Sequence, residues 1–273
     1  MMRQRKAVFL DIDGTLLLNG QGPFKDDLDQ IEKTSAQGHR VFLSTGRALA
    51  NIPARLLECP FFSGISAGTG THVLLSDSTH AGHAGTEPET IPNRYKTIYH
   101  KWVPGDLVAA IISWYAASRR CCILEGESRC FAVNSPSRSY TVDEPLRITS
   151  EGEFIRNYPD EIITKLTIDG SITEEEIDLL EQYFQINTFP DYSEAIIKGE
   201  SKAKSMDLIL TALGIRREDS IAIGDSVNDL DMIRHAGLGI AMGNACTELK
   251  AAAGAVTGNC GSGGVAEALK RCL

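Results

Sequence analysis

Four aspartates follow short apolar runs closely enough to share one site. Asp11 and Asp13 come after Ala7-Val8-Phe9-Leu10, and Asp225 and Asp229 after Ser220-Ile221-Ala222-Ile223-Gly224. Runs this short, rich in strand formers and ended by a glycine or an acid, are what fully buried strands of a parallel sheet look like. In an extended segment residues two apart share a face, so Asp11 and Asp13 are expected to project together while Ile12 enters the packing. Carboxylates gathered at one sheet edge repel one another unless a hard divalent cation neutralises them. Magnesium suits such a set, because it takes few protein oxygens, keeps several waters and commonly shares a phosphate oxygen. Any one of these aspartates is as readily a helix or turn cap, so the argument rests on the set. Two further residues fit an anionic substrate. Thr45 ends a second apolar run and offers a hydroxyl with flanking backbone N–H groups, and Lys202 opens a helix whose N–H groups and dipole already favour an anion.

These residues need elements that bring them together. Asp26 to Gln37 has helical spacing and stops at Gly38; Val41-Phe42-Leu43 reads as a second buried strand that ends in Ser44-Thr45-Gly46-Arg47. A βαβ crossover puts both strand ends on one edge of a parallel sheet, where open α/β folds bind ligands. From Ser63 to Asn93 the composition shifts to Gly, Ser, Thr, His and Pro, which reads as loops with a domain boundary near Gly82 to Pro92. Beyond it the pattern is mixed. Asp106 to Ser118 reads as an apolar helix, Cys121–Glu125 with Arg129–Asn134 as a hairpin, and Ile162–Ile168 as a strand. Ser171-Ile172-Thr173-Glu174 reads as a capping box starting a helix that runs to about Phe184. After Pro190 the α/β rhythm returns, with a helix over Ala203–Leu213 ended by Gly214. The expected fold is α/β: a Rossmann-like parallel-sheet core with helices on both faces, formed by residues 1–81 and 198–273, and a small inserted α+β domain at 82–197.

Composition narrows the partners. The 273 residues carry 27 Lys and Arg against 36 Asp and Glu, a formal charge of −9 with no long basic run, so neither a nucleic-acid backbone nor an anionic membrane surface is expected as a partner. Seven cysteines without a C-x-x-C pair indicate neither a disulfide framework nor a zinc ribbon, and fit a reducing, cytoplasmic setting. The basic start at Met1–Lys6 is followed by only four apolar residues before Asp11, too few for a signal peptide, and no apolar run reaches the length of a membrane span. The expectation is a soluble intracellular protein, monomeric or homodimeric; the resemblance described next implies that its partner is a small phosphorylated metabolite.

The motifs Asp11-Ile12-Asp13-Gly14-Thr15, Ser44-Thr45-Gly46-Arg47, Lys202 and Gly224-Asp225-Ser226-Val227-Asn228-Asp229, in this order, resemble those of haloacid dehalogenase superfamily phosphatases of the Cof type. The resemblance extends to Met232, Asn244-Ala245 and Gly263-Gly264-Val265, and the family places a C2 cap between the second and third motifs. It implies that Asp11 is the nucleophile that takes up the phosphoryl group and Asp13 the general acid and base. Mg2+ would be held by Asp11, the Asp13 carbonyl and Asp225, with Asp229 close by. Thr45, Lys202 and Asn228 would hold phosphoryl oxygens, with Gly14 and Gly46 letting backbone approach the phosphate and Arg47 contacting substrate. Cap residues Glu125, Arg129 and Lys165 are further leaving-group candidates. One departure stands out: relatives carry an Asn-Gly-Ala stretch where this chain has Gly68-Thr69-Gly70-Thr71.

Two rival functions stay open at this level. A phosphomutase resembling phosphomannomutase uses the same aspartates but keeps water from its aspartyl-phosphate. A sugar-phosphate-binding regulator would bind without catalysis, although it would need neither Asp11 nor Asp13. Other local patterns carry less. An EF-hand is excluded by the positions of Gly14 and Gly22, Gly68–Thr71 lacks the Gly-Lys-Ser/Thr ending of a nucleotide loop, and His80 and His83 have no ligand cluster beside them. Cys121-Cys122 reads as buried strand, with nothing to lower a thiol pKa.

Overall fold

The computed structural model describes residues 5–76 and 94–273. Its strands, numbered in chain order, are β1 (Ala7–Leu10), β2 (Arg40–Ser44), β3 (Phe62–Ala67), β4 (His72–Ser76), β5 (Tyr95–His100), β6 (Cys122–Gly126), β7 (Cys130–Val133), β8 (Leu146–Ile148), β9 (Ile163–Asp169), β10 (Phe184–Thr188), β11 (Tyr192–Ile197), β12 (Ser220–Gly224), β13 (Leu238–Ala241) and β14 (Ala255–Val256). They form two sheets, one of eight strands in the order β14-β13-β12-β1-β2-β3-β4-β5 and one of six in the order β10-β11-β9-β6-β7-β8. The fold is α/β, with helices on both sides of the larger sheet. Backbone contacts divide the chain into two compact units, Met1–Gly46 with Ala54–Tyr99 and Ser201–Leu273, and Arg47–Pro53 with His100–Glu200. The boundary expected between Gly82 and Pro92, like His80 and His83, lies outside the described residues.

In the first unit β1 is the strand that decides where a site can form. It pairs in parallel with β2 on one side and β12 on the other, with Ala7 opposite both Arg40 and Ser220. Every residue of β1 and β12 is buried, as two covered faces require, and Phe9 stacks on Phe42 of β2 with ring centroids 5.0 Å apart. The connection after β1 leads to β2 and the one after β12 to β13 on the opposite side, so the crevice at the carboxyl ends of β1 and β12 is the topological switch point at which such sheets bind ligands. The helix Lys25–Ala36 is tied to the last helix, Gly264–Cys272, by buried Asp27, whose Oδ1 accepts from the Ala266 N–H at 2.8 Å.

The Ser63–Thr71 stretch is not the loop its composition implied. It forms most of β3, parallel to β2, and the turn into β4, which returns antiparallel to β3. Gly64 is part of the reason: a Cβ there would lie 2.4 Å from the Leu74 carbonyl oxygen, so the residue that reads as a loop former is what allows close pairing with β4.

The second unit is α+β. Helices Gly105–Ser118, Glu151–Asn157 and Glu174–Leu180 contribute, with alternate strand residues such as Leu124, Phe131, Leu166 and Ala195, to one buried apolar cluster. On the strands' other face lie Cys121, Ile123, Cys130 and Ala132, against which Ala50 and Tyr140 pack. Two expectations change here. The capping box is Thr173 with Glu176 rather than Ser171 with Glu174, because Glu176 is the buried acid that also meets Arg120 at 2.8 Å. The helix it starts ends at Leu180, since Phe184 belongs to β10 and pairs with Ile197 of β11. All seven cysteines are free thiols, and burial pushes that of Cys121 up to about 12, in keeping with an inert strand residue. Among the described residues no helix is long and apolar enough to cross a membrane.

Candidate active site

Asp11, Thr45 and Asp225 each stand directly after one of the three adjacent parallel strands β1, β2 and β12, so the sheet itself gathers them. The loop after β1 is closed by bonds from the Leu16 and Leu17 N–H groups to the Ile12 carbonyl, both 2.8 Å, and from Gly14 N–H to the Leu17 carbonyl at 2.7 Å. This tight turn separates the two leading acids. Asp11 is buried while Asp13 is exposed, so the shared face expected of a continuing strand is lost once the chain turns at Ile12. Gly14 sits at φ +77, and a Cβ on it would lie 2.0 Å from Asp225 Oδ2, so only glycine lets the Asp225 carboxylate rest against the loop.

Lys202 is the first residue of the helix Lys202–Leu213 and is fully buried. Ser201 caps that helix by accepting from Lys204 N–H at 3.1 Å, and Asp231 Oδ2 accepts from Ala203 N–H at 3.1 Å. A buried ammonium at a helix N-terminus has burial and dipole against it, so it needs strong partners. It has two: Nζ donates to Asp11 Oδ1 at 2.7 Å and to Asp229 Oδ1 at 2.5 Å. Burial alone would lower its pKa, but the two carboxylates outweigh that and hold it above the usual lysine range.

Asp229 uses its other oxygen to brace the fourth motif. Oδ2 accepts from the backbone N–H groups of Asp225 at 3.0 Å and Ser226 at 3.1 Å, within a capping box closed by Ser226. Gly224 makes room for it, since a Cβ there would lie 2.5 Å from Asp229 Cγ. Both Asp229 oxygens are thus committed. Asp225 differs: its Oδ1 is buried without a hydrogen-bond partner, and its carboxyl is pushed up to about 7 by burial and by the charge of Asp229, against the opposing pull of Lys202. Asp11 is likewise raised, by burial first and then by Asp229. One lysine facing Asp11, Asp13, Asp225 and Asp229 leaves an acidic surplus. The donor set of Asp11, Asp225 and Asp229, with ligand atoms within 4.8 Å of one another, and the orphaned Asp225 oxygen fit a hard divalent cation.

The second motif is fastened from β3. Thr45 N–H donates to the Ser66 carbonyl and Thr69 N–H to the Thr45 carbonyl, both at 2.9 Å. Thr69 occupies the left-handed region at φ 57, uncommon for a β-branched residue, between Gly68 and Gly70 that also have positive φ. A Cβ on Gly70 would lie 2.5 Å from the Ser201 carbonyl oxygen, so the departure Gly68-Thr69-Gly70 lets this turn meet both Thr45 and the approach to Lys202. Asn228 comes near Gly46: its Nδ2 would be 3.8 Å from a Cβ there, and its Oδ1 accepts from Ser226 Oγ at 2.5 Å.

The structure therefore brings together Asp11, Lys202 and Asp229, sets Asp225 against Gly14, and places Asn228 beside Gly46. Arg47 falls in the other compact unit, where its Nη1 donates to the Asn51 carbonyl at 2.9 Å. Sequence reasoning passed over two positioning residues and named a third, Asn244, without giving it a role. Thr69 was read only as a turn, although a threonine between two glycines was its signal. Asn244 links Gly14 and Cys260, its Nδ2 donating to the Gly14 carbonyl at 2.8 Å and its Oδ1 accepting from Cys260 N–H at 2.7 Å. Asp231, read only as the start of a helix, caps another.

Comparison with known proteins agrees with this geometry. A model of the haloacid dehalogenase-like hydrolases matches residues 8–78 and 89–269. YkrA of Bacillus subtilis is 24% identical over 274 residues, covering 97% of this chain and 96% of its own. The B. subtilis 5-amino-6-(5-phospho-D-ribitylamino)uracil phosphatase YcsE is 34% identical over 125 residues, which is 44% of this chain and 50% of that protein. Among solved structures, the HAD subclass IIB sugar phosphatase BT4131 is 26% identical with a TM-score of 0.75, over 97% of this chain and 98% of that one. With the family model spanning both halves of the described chain and a full-length structural match of this kind, the chain belongs to the haloacid dehalogenase-like hydrolases, with Cof-type phosphatases as its relatives.

Proposed function

We propose that this enzyme is a magnesium-dependent phosphatase that hydrolyses small phosphate monoesters, sugar phosphates foremost, through an aspartyl-phosphate on Asp11. The observation that carries the reading is the buried Lys202 ammonium shared between Asp11 and Asp229, with the partnerless Asp225 oxygen in the same acidic cluster. A structural ion pair would need one carboxylate per lysine; a phosphoryl-transfer site needs a surplus of acid for a cation and a fixed charge for the phosphoryl oxygens. The sugar-phosphatase relative supports the substrate class.

In this mechanism an Asp11 carboxylate oxygen attacks phosphorus and the bond to the leaving oxygen breaks, while Asp13 delivers the proton that lets the leaving group depart as an alcohol. Asp13, exposed at the loop, then takes a proton from water as the water oxygen attacks the same phosphorus; Asp11 is released and inorganic phosphate leaves. Lys202 orients the Asp11 carboxylate and compensates negative charge developing on the phosphoryl oxygens, with Thr45 and Asn228 donating to those oxygens. Asp11, the Asp13 carbonyl and Asp225 would hold Mg2+, with Asp229, both of its oxygens engaged, bracing the Asp225 loop. The ion supplies charge neutralisation at the phosphoryl group. The unit of Arg47–Pro53 and His100–Glu200 serves as the cap that selects the leaving group.

The test is release of inorganic phosphate from a panel of monoesters with and without magnesium. Magnesium-dependent release with free sugar as the co-product is expected. Isomerised hexose phosphate, appearing with a bisphosphate activator, would replace this reading with the mutase, and tight binding with every ester left intact would replace it with the regulator.

Two further outcomes follow from the site. Gly14→Ala places a methyl group on the Asp225 carboxylate, and a displacement of this size at a reacting centre is expected to lower kcat/KM by about 10²-fold; steady-state kinetics at saturating magnesium check it. The second concerns pH. A carboxyl whose folded value is raised favours the folded state below its unfolded value, and that contribution is lost as pH rises through the folded one. For Asp225 the window runs from the ordinary aspartate value of about 3.9 to about 7. Magnesium favours the charged form, so the rise in Tm on adding it is expected to be larger at about pH 8 than at about pH 5. Thermal melts at the two pH values, with and without magnesium, measure this, and an equal rise at both would contradict it.

A further inference from the structure

Thr69 is a buried residue in the turn between β3 and β4, held at φ 57. That backbone conformation suits glycine and is costly for a side chain branched at Cβ. Gly68 and Gly70 on either side reach φ 59 and φ 94 without that cost. A glycine at position 69 would make the same turn and keep the backbone bond from its N–H to the Thr45 carbonyl. What threonine adds is a side chain, and backbone strain of this kind persists where it serves a site.

The hydroxyl of that side chain is placed against the second motif. Beyond its own chain neighbours, a Cβ built on Gly46 would meet two atoms within 4 Å among the described residues, Thr69 Oγ1 at 3.6 Å and Asn228 Nδ2 at 3.8 Å. Both are polar and both can donate. Asn228 is oriented for this, because its Oδ1 accepts from Ser226 Oγ and leaves the amide hydrogens for the space over Gly46. The missing side chain of Gly46 therefore opens a small niche walled by a hydroxyl and an amide. The niche borders the acid cluster inside the same compact unit. Leu10 of β1 and Leu43 of β2 are paired in register, so Asp11 and Ser44 leave the sheet side by side, with Thr45 and Gly46 next in the chain. On the other side Asn228 precedes Asp229, which shares the Lys202 ammonium with Asp11.

We infer that Thr69 is a phosphate-binding residue, its Oγ1 donating to a phosphoryl oxygen seated over Gly46 beside the Asn228 amide. The inference rests on the proposed phosphatase reading and deepens it, adding to the phosphate site a donor from the β3–β4 turn. A hydroxyl placed this way donates to a charged oxygen, the stronger kind of hydrogen bond. If Thr69 were kept for packing instead, its methyl group would matter and its hydroxyl would not.

Thr69→Ser and Thr69→Ala separate the two roles, since both keep Cβ and lose the methyl while only serine keeps the hydroxyl. The probe is inorganic phosphate, the product of the proposed reaction, titrated calorimetrically at saturating magnesium. Thr69→Ser is expected to bind it within about 3-fold of wild type and Thr69→Ala about 10-fold more weakly, the usual effect of one hydrogen bond to a charged oxygen. The kcat/KM for the ester that the wild type cleaves best should fall in the same order. If Thr69→Ala does not fold, Thr69→Gly, which removes the hydroxyl and the backbone strain together, takes its place with the same expected loss. Equal phosphate affinity in the serine variant and the variant without a hydroxyl would overturn the inference: both as tight as wild type would make the hydroxyl idle, and both weakened alike would make Thr69 a packing residue. Phosphate release by the wild type in either case would leave the phosphatase reading standing. A wild type that neither binds phosphate nor cleaves any ester would remove both.

Discussion

Asp11→Asn is expected to abolish phosphate release, with kcat reduced by about 10⁴-fold or more, because on the proposed mechanism Asp11 is the nucleophile and an amide cannot replace it. The substitution is nearly isosteric, and Asn can still present an oxygen to Lys202 Nζ, now 2.7 Å from Oδ1. It also removes a carboxylate that burial and Asp229 already hold well above the ordinary aspartate range. Stability should therefore be unchanged or slightly raised. That pairing of outcomes is informative: a residue kept for folding would show loss of stability together with any loss of activity. Phosphate release by the purified variant, measured beside its thermal melt, checks both, and residual turnover within about 10-fold of wild type would remove Asp11 from the nucleophile role.

Lys202→Met should have the next largest effect, and on both quantities. Methionine fills a similar volume but leaves Asp11 and Asp229, both buried, with no cation between them. Breaking a buried pair from one side typically costs roughly 3–5 kcal/mol. On the proposed mechanism, in which Lys202 faces the phosphoryl oxygens, losing its charge should reduce kcat by about 10²–10³-fold. Because protonation would relieve stranded Asp11, which burial already holds above the ordinary aspartate range, the stability deficit is expected to shrink as pH falls. Urea unfolding at two pH values reads this, and a deficit independent of pH would mean that Lys202 contributes packing rather than charge.

What could be read in the sequence were the features written locally. Asp11 and Asp225 were legible as a set, since either acid alone reads as readily as a cap, and Lys202 through its place at a helix start and the order of motifs that resembles a known family. The α/β class followed from the same runs. The expected metal centre was legible as an acidic surplus, but not the division of labour within it: nothing in Gly224–Asp229 shows that Asp229 spends both oxygens on Lys202 and the backbone of its own loop. The contacts of Thr69 and Asn244 were out of reach for a different reason, although glycines flank the one and the family resemblance includes the other. Each acts on a backbone group far away in sequence, Asn244 on Gly14 across 230 residues. Backbone acceptors leave no residue-type signature. The β3–β4 pair was hidden because glycine and serine read as loop where close packing between strands, as at Gly64, in fact requires them.

The central claim is that the phosphoryl group passes through Asp11, and the acid–base assignment of Asp13 provides a way to see it. Without Asp13 the water that clears the intermediate lacks its base, so Asp13→Asn given acetyl phosphate, whose leaving group needs little protonation, should accumulate the covalent species. Intact-protein mass spectrometry is expected to show a gain of about 80 Da, one phosphoryl group, that maps to the peptide carrying Asp11. Absence of that gain while the wild type hydrolyses acetyl phosphate, or its appearance on a different residue, would contradict the account.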